Sequence, residues 1–390
     1  MAVSQPRLSL SRSRRPYGVD VPTPRRRRLA GLILAVASVT GPLVPADATG
    51  GAPGEPVAAA LATVPATVGT ASVSVSVATV WSDPGAPRRM DAAALATPAD
   101  PAGWLRRLGT SGRRGLNGRV ETQVLYGQRV TVVELRDAWA RVAVPGQPSP
   151  KSGQGYPGWI PTAQLTASAA QPASTTQPGS TAQPESPTAQ PAPASPAALE
   201  AVVARPTVWA YSAQTLTGRV IRLSYGTRLP VLSQQGRAVS VAGADGRVLW
   251  LPAKRVAVVA TGSPTRKTTG AAVVAEARRF LGLPYLWGGT SGLGFDCSGL
   301  THAVYAQLGV TIPRDATPQF ATGAAVSRVR DLRPGDLVFF RDGTGSIHHV
   351  GISAGRGRMI HAPRTGRPVQ YATITSGLWA REFAGGRRLL

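Results

Sequence analysis

Two periodicities alternate along the 390 residues and divide them into elements. Apolar residues at Leu300, Val304 and Leu308 recur at i, i+4 and i+8 and stop at Gly309, which predicts a helix ending in a glycine. Asp100-Pro101 followed by Trp104, Leu105 and Leu108 predicts a shorter helix with an acidic cap and a first-turn proline. Elsewhere the period is two. Val130 to Glu134 and Trp139 to Val144 alternate as strands separated by turns, and Ile347 to Ser353 and Arg358 to Ala362 read as a hairpin around Ala354-Gly355-Arg356-Gly357.

The strand pattern repeats. Thr79-Val80-Trp81, Leu116-Asn117-Gly118-Arg119-Val120, Tyr126-Gly127 and Trp159-Ile160-Pro161 recur in order as Thr207-Val208-Trp209, Leu216-Thr217-Gly218-Arg219-Val220, Tyr225-Gly226 and Trp250-Leu251-Pro252. Each copy predicts a small antiparallel barrel, and the pair resembles bacterial SH3-like domains. Trp81 and Leu116 are 35 positions apart where Trp209 and Leu216 are 7 apart, so the first copy carries a 28-residue insertion holding the Asp100 helix.

Composition sets the boundaries. Arg25 to Arg28 precede the apolar run Leu29 to Val39, and small residues follow at Ala46-Asp47-Ala48; residues 1–48 therefore read as an export leader whose apolar run is too short to span a membrane. A tether is expected over 49–71, the first barrel with its insertion over 72–166, an Ala/Pro/Ser/Thr/Gln linker over 167–200, the second barrel over 201–260 and a further domain over 261–390. The leader holds eight arginines and two aspartates of a net charge of +24, so +18 remains after its removal. For an exported chain such charge favours anionic wall polymers or phospholipid headgroups over nucleic acid.

The chemistry centres on Cys297, the only cysteine, which excludes a disulfide framework. It lies in the first turn of the Leu300 helix, where unpaired N–H groups and the positive dipole end favour a thiolate. Four histidines are available as base: His302, His348, His349 and His361. A hairpin centred near residue 355 places His349 and His361 directly opposite each other on one face, with His348 on the other. Spacing alone leaves open which of the two meets the thiol. His302 falls about 140° round the helix from Cys297 and is expected on the helix surface. Arg314 and Gln319 are expected in a surface loop. No CxxC or HExxH spacing accompanies these residues, so no metal is expected.

Asp296-Cys297-Ser298-Gly299, His349-Val350-Gly351-Ile352, Ile360-His361-Ala362-Pro363 and Leu332 to Phe340 resemble the ordered signatures of the NlpC-type cell-wall cysteine peptidases. Ser353 stands where that family usually has tyrosine. The resemblance covers about residues 265 to 390. It implies a multidomain protein, two all-β barrels followed by an α+β papain-like domain, exported to the wall without a stable membrane anchor. It makes Cys297 the nucleophile, His349 the base and His361 its orienter, with Tyr285 near the oxyanion site and no cofactor. Relatives with two barrels bind the substrate's free amino terminus through residues matching Asp296, Ser298 and Tyr156, with an acidic residue near Gln128. The implied reaction is hydrolysis of the γ-D-glutamyl–diamino acid bond, usually to meso-diaminopimelate, in peptidoglycan stem peptides. Amidase or acyl-transfer chemistry at the same thiol, and wall binding without catalysis, are the alternatives.

Overall fold

The computed structural model describes residues 68–167 and 198–390. The expected leader, the tether as far as residue 67 and linker residues 168–197 lie outside the described residues. No helix among the described residues is long and apolar enough to cross a membrane.

The first sheet holds β1 (Gly69–Val73), β2 (Val77–Trp81), β3 (Val120–Leu125), β4 (Arg129–Arg136), β5 (Trp139–Val144), β6 (Tyr156–Pro161) and β7 (Leu165–Ala167). The second holds β8 (Leu199–Val203), β9 (Thr207–Tyr211), β10 (Arg219–Ser224), β11 (Arg228–Gln235), β12 (Ala238–Ala242), β13 (Val248–Pro252) and β14 (Val256–Ala260). Their strand orders, β3-β2-β6-β5-β4-β1-β7 and β10-β9-β13-β12-β11-β8-β14, are the same order written twice, all antiparallel. The insertion forms α1 (Ala92–Leu95) and α2 (Pro101–Arg114), longer than expected and broken at Gly109, whose φ of 55° leaves the helical region. Asp100 caps α2 by accepting from the Gly103 N–H at 2.7 Å. Trp104 is buried against Trp81, ring centroids 6.2 Å apart, and donates its indole N–H to Asp91.

The remaining chain contributes α3 (Gly270–Arg278), the ribbon β15 (Thr290–Ser291) and β16 (Gly294–Phe295), α4 (Cys297–Gln307), α5 (Ala316–Phe320), β17 (Ala324–Val326), β18 (Leu337–Arg341), β19 (Ile347–Gly355), β20 (Arg358–His361), β21 (Gln370–Thr373), α6 (Gly377–Glu382) and β22 (Phe383–Arg388). The sheet runs β17-β22-β18-β19-β20-β21, antiparallel throughout. The apolar stripe of α4, Leu300, Val304 and Leu308, packs in one buried cluster with Leu337, Phe339, Val350, Ile352 and Ile360 of the sheet. Burying such side chains stabilises by about 1.5–3 kcal/mol each, which fixes the start of α4 against β19.

Both barrels pack on this domain. Tyr225 of the second enters its core, edge-on to Phe280 at 4.8 Å, and donates to Glu276 at 3.0 Å. Gly292 approaches the Pro206 carbonyl so closely that a Cβ would lie 1.8 Å from its oxygen, so only glycine fits there. From the first barrel, Val120 O accepts from the Trp287 indole (3.0 Å), Gln123 O from the Thr290 hydroxyl (3.0 Å) and Pro148 O from the Arg314 N–H (3.0 Å).

Candidate active site

Cys297 is the first residue of α4, so its N–H has no intrahelical partner. Asp296 is the N-cap, accepting from the Gly299 N–H at 2.6 Å. The N–H groups of Val350 and Ser298 point at the Cys297 sulfur and, with Arg314, favour the thiolate; burial and the neighbouring Asp296 outweigh them and push the thiol up to about 12. The helix start thus favours the thiolate as its position predicts, against an opposing desolvation that is larger.

The histidines meet, by a different register. Ile352 pairs with Ile360 and Ser353 with Met359, with a shift of register before Gly355, so His361 lies across from Gly351 rather than His349. Gly351 has no side chain to separate them: a Cβ there would stand 3.3 Å from that of His361. The two rings reach each other diagonally, His349 Nε2 to His361 Nδ1 at 2.9 Å. That bond leaves Nδ1 as the remaining nitrogen of His349. Burial pulls His349 well below the ordinary histidine value, helped by His361 and His348, and pulls His361 to about 4. Burial thus disfavours the charged form of both thiol and imidazole. His348 turns outward and meets Glu382 at 3.1 Å.

Three surface expectations are corrected. His302 is buried, its Nδ1 2.8 Å from the Ile312 carbonyl, and burial lowers it to about 4. Gln319 is fully buried, accepting from the Thr301 hydroxyl and donating to the Ser298 and Pro313 carbonyls. Arg314 is 1 % exposed and reaches Asp296 through Nη2 (2.7 Å) and Nη1 (3.1 Å), Ser298 through Nη1 (3.0 Å) and Thr122 of the first barrel through Nε (2.9 Å). The cation paired with Asp296 is thus Arg314 rather than a substrate ammonium, and Ser298 holds the same guanidinium. A loop position in a proline-rich stretch gave no signal of this, because the partners lie 18 and 192 residues away.

Tyr285 is buried beside the thiol, and its hydroxyl is raised by burial, Cys297 and Asp296. Tyr156 is also buried; its hydroxyl donates to Asp315 (3.0 Å) and accepts from Lys151 (2.8 Å), whose ammonium also reaches Glu121 at 2.5 Å. The expected position Gln128 instead accepts from the Leu125 N–H and closes its own turn, while the carboxylate that Lys151 joins to Tyr156 is Glu121. Among the described residues no group of His, Cys, Asp and Glu could hold a metal ion.

The NlpC/P60 family profile matches residues 282–388, and the profile described as the YKFC SH3b2 domain matches 203–258. A gamma-D-glutamyl-L-lysine dipeptidyl-peptidase of Bacillus cereus is 36 % identical over 324 residues, 82 % of this chain and 91 % of its own. The chain belongs to the NlpC/P60 family. The Bacillus subtilis gamma-D-glutamyl-L-lysine dipeptidyl-peptidase is 33 % identical over 81 % of this chain and 98 % of its own. The crystal structure of an NlpC/P60 family protein from Bacillus cereus superposes with a TM-score of 0.70 at 34 % identity, covering 82 % of this chain and 99 % of that one. This NlpC/P60 protein is a cysteine peptidase with SH3-like barrels ahead of its papain-like domain.

Proposed function

We propose that this NlpC/P60 enzyme hydrolyses the γ-D-glutamyl–diamino acid bond of peptidoglycan stem peptides, releasing the amino-terminal dipeptide from stems whose amine is free. Cys297 is the nucleophile, His349 the base and His361 its orienter. As the substrate carbonyl approaches, Nδ1 of His349 takes the thiol proton and the sulfur attacks; the Cys297 N–H and the Tyr285 hydroxyl donate to the oxyanion. The imidazolium then protonates the leaving amine of the diamino acid, and water, deprotonated by the same ring, releases the acyl group. The enzyme works on the wall outside the membrane, a reading that the leader-like composition of residues 1–48 supports.

The observation that carries the dipeptide specificity is the Lys151 ammonium held between Glu121 and the Tyr156 hydroxyl, with Asp315 bonded to that hydroxyl. This corner has the acceptors and negative charges to hold an ammonium. It adjoins the thiol through Asp315, Arg314 and Asp296, the first two 4.0 Å apart. The relatives' names, dipeptidyl-peptidases, agree with a site closed at that distance. The test compares L-alanyl-γ-D-glutamyl-L-lysine, its meso-diaminopimelate counterpart, and each with an acetylated amine. Free stems are expected to be favoured at least about tenfold in kcat/KM, a difference of about 1.4 kcal/mol, and Asp315→Asn to shrink that ratio. Equal turnover of free and acetylated stems would refute the amine-reading corner while leaving the thiol chemistry standing.

The two histidines should be unequal. His349→Ala is expected to lower kcat by about 10³-fold or more, and His361→Ala by about 10–100-fold, because a base without its orienter still samples the reactive geometry. Single-turnover acylation rates measure both; equal losses would sink the assignment of roles.

A further inference from the structure

The helix α6, a six-residue insert between β21 and β22, carries Trp379 onto the histidine pair. Its indole stacks on His349, centroids 4.9 Å apart at 30°, meets His361 edge-on at 5.0 Å and 83°, and packs against Phe340 at 4.7 Å. The His349 and His361 rings themselves lie nearly perpendicular at 5.1 Å. The helix is moored at its other end by Glu382 on His348.

We propose that Trp379 is a positioning residue for the hydrolytic reaction: it clamps the His349 and His361 rings in their hydrogen-bonded orientation and keeps water from that bond. The geometry gives the reason. His361 is buried, its Nε2 has no hydrogen-bond partner, and Nδ1 is spent on His349. One hydrogen bond leaves the ring free to turn about its own axis, so a second restraint must come from ring contact, and Trp379 supplies it for both rings. An offset aromatic contact contributes about 0.5–1.5 kcal/mol and prefers defined angles, enough to hold a rotamer. The second effect is on solvation. Burial is the largest cause of the lowered values of both histidines. The groups placed around His349 are His361 from β20, His348 beside it on β19 with Glu382 of α6 beyond, and the uncharged Phe340 from β18, while the Cys297 thiol of α4 takes the N–H of the adjacent Val350. Among the described residues no carboxylate is bonded to the His349–His361 pair, so desolvation sets its proton affinity. Taking away the indole admits water and raises that affinity. The base must be neutral to accept the thiol proton, so a raised value moves the acid limb of kcat/KM to higher pH.

The inference rests on the roles assigned to Cys297 and His349. Those fail by their own test, retained turnover in Cys297→Ala, which does not involve Trp379. In the full chain, Trp379→Ala is expected to lower kcat about 30–100-fold on the free tripeptide with KM within about threefold, and to move the acid limb up by about one pH unit, the scale of a base lost from its geometry. Trp379→Phe, which keeps a ring, should recover most of kcat and of the wild-type limb. Should the alanine variant unfold, Trp379→Leu keeps the apolar volume without the ring and is expected to show the same loss. A rise in KM with kcat unchanged would make Trp379 a substrate wall, and an unmoved acid limb would leave it a packing residue. Equal deficits in the Phe and Leu variants would remove the ring from the argument. Each of these three results overturns the proposal.

Discussion

Cys297→Ala is expected to abolish peptide hydrolysis, with residual turnover lower by about 10⁴-fold or more, while the melting temperature moves little. The sulfur is the one atom the mechanism cannot replace, since neither a water nor a neighbouring hydroxyl stands in its place at the start of α4. Ser298, the adjacent hydroxyl, donates weakly to Asp296 at 3.4 Å and accepts from Arg314, so it is held away from the reaction. The structural cost of removing one partly buried sulfur is about 1 kcal/mol. Mass-resolved product analysis after long incubation, beside a thermal scan of the same sample, checks both halves. Near-wild-type turnover would end the nucleophile assignment.

Arg314→Ala should give the largest loss of stability. The guanidinium is fully buried and every nitrogen has a partner: Nε on Thr122, Nη1 on Asp296 and Ser298, Nη2 on Asp296. Deleting one member of such a pair leaves a buried charge uncompensated, at a cost of about 3–5 kcal/mol. Activity should fall with it, because Asp296 caps the helix that presents Cys297 and Thr122 belongs to the docked barrel. The double variant Arg314→Ala/Asp296→Asn should lose less stability than the two single variants added together, since it leaves no orphaned charge. Calorimetry on the four proteins measures the coupling. A loss below about 1 kcal/mol for Arg314→Ala, or strict additivity, would show that water already screens the pair.

The motif residues were readable because each carries its chemistry in a short local signal: a cap and glycines around Cys297, strand alternation around His349 and His361, a doubled motif order for the barrels. What stayed hidden is non-local. Counting residues across a hairpin misplaces the register when the turn is irregular, as it is before Gly355, and a diagonal pair across Gly351 looks like a direct one. Arg314, Gln319 and His302 sit in stretches whose composition suits a surface, and only the packing of distant elements buries them. Trp379 gave no periodic signal at all in a six-residue helix. Glu121 and Lys151 lie in a barrel strand and a turn 30 residues apart, and a charge pair between such distant elements leaves no trace in spacing.

The loop ahead of the nucleophile is flanked on both sides by borrowed backbone. Val120 and Gln123 of the first barrel hold Trp287 and Thr290, and Pro206 of the second abuts Gly292. The two barrels therefore act as jaws of a mould in which the reactive segment is cast, rather than as cargo-delivery modules on a leash. Exchanging either barrel for another would therefore disturb the segment that leads into Cys297 unless the residues at the seam changed with it.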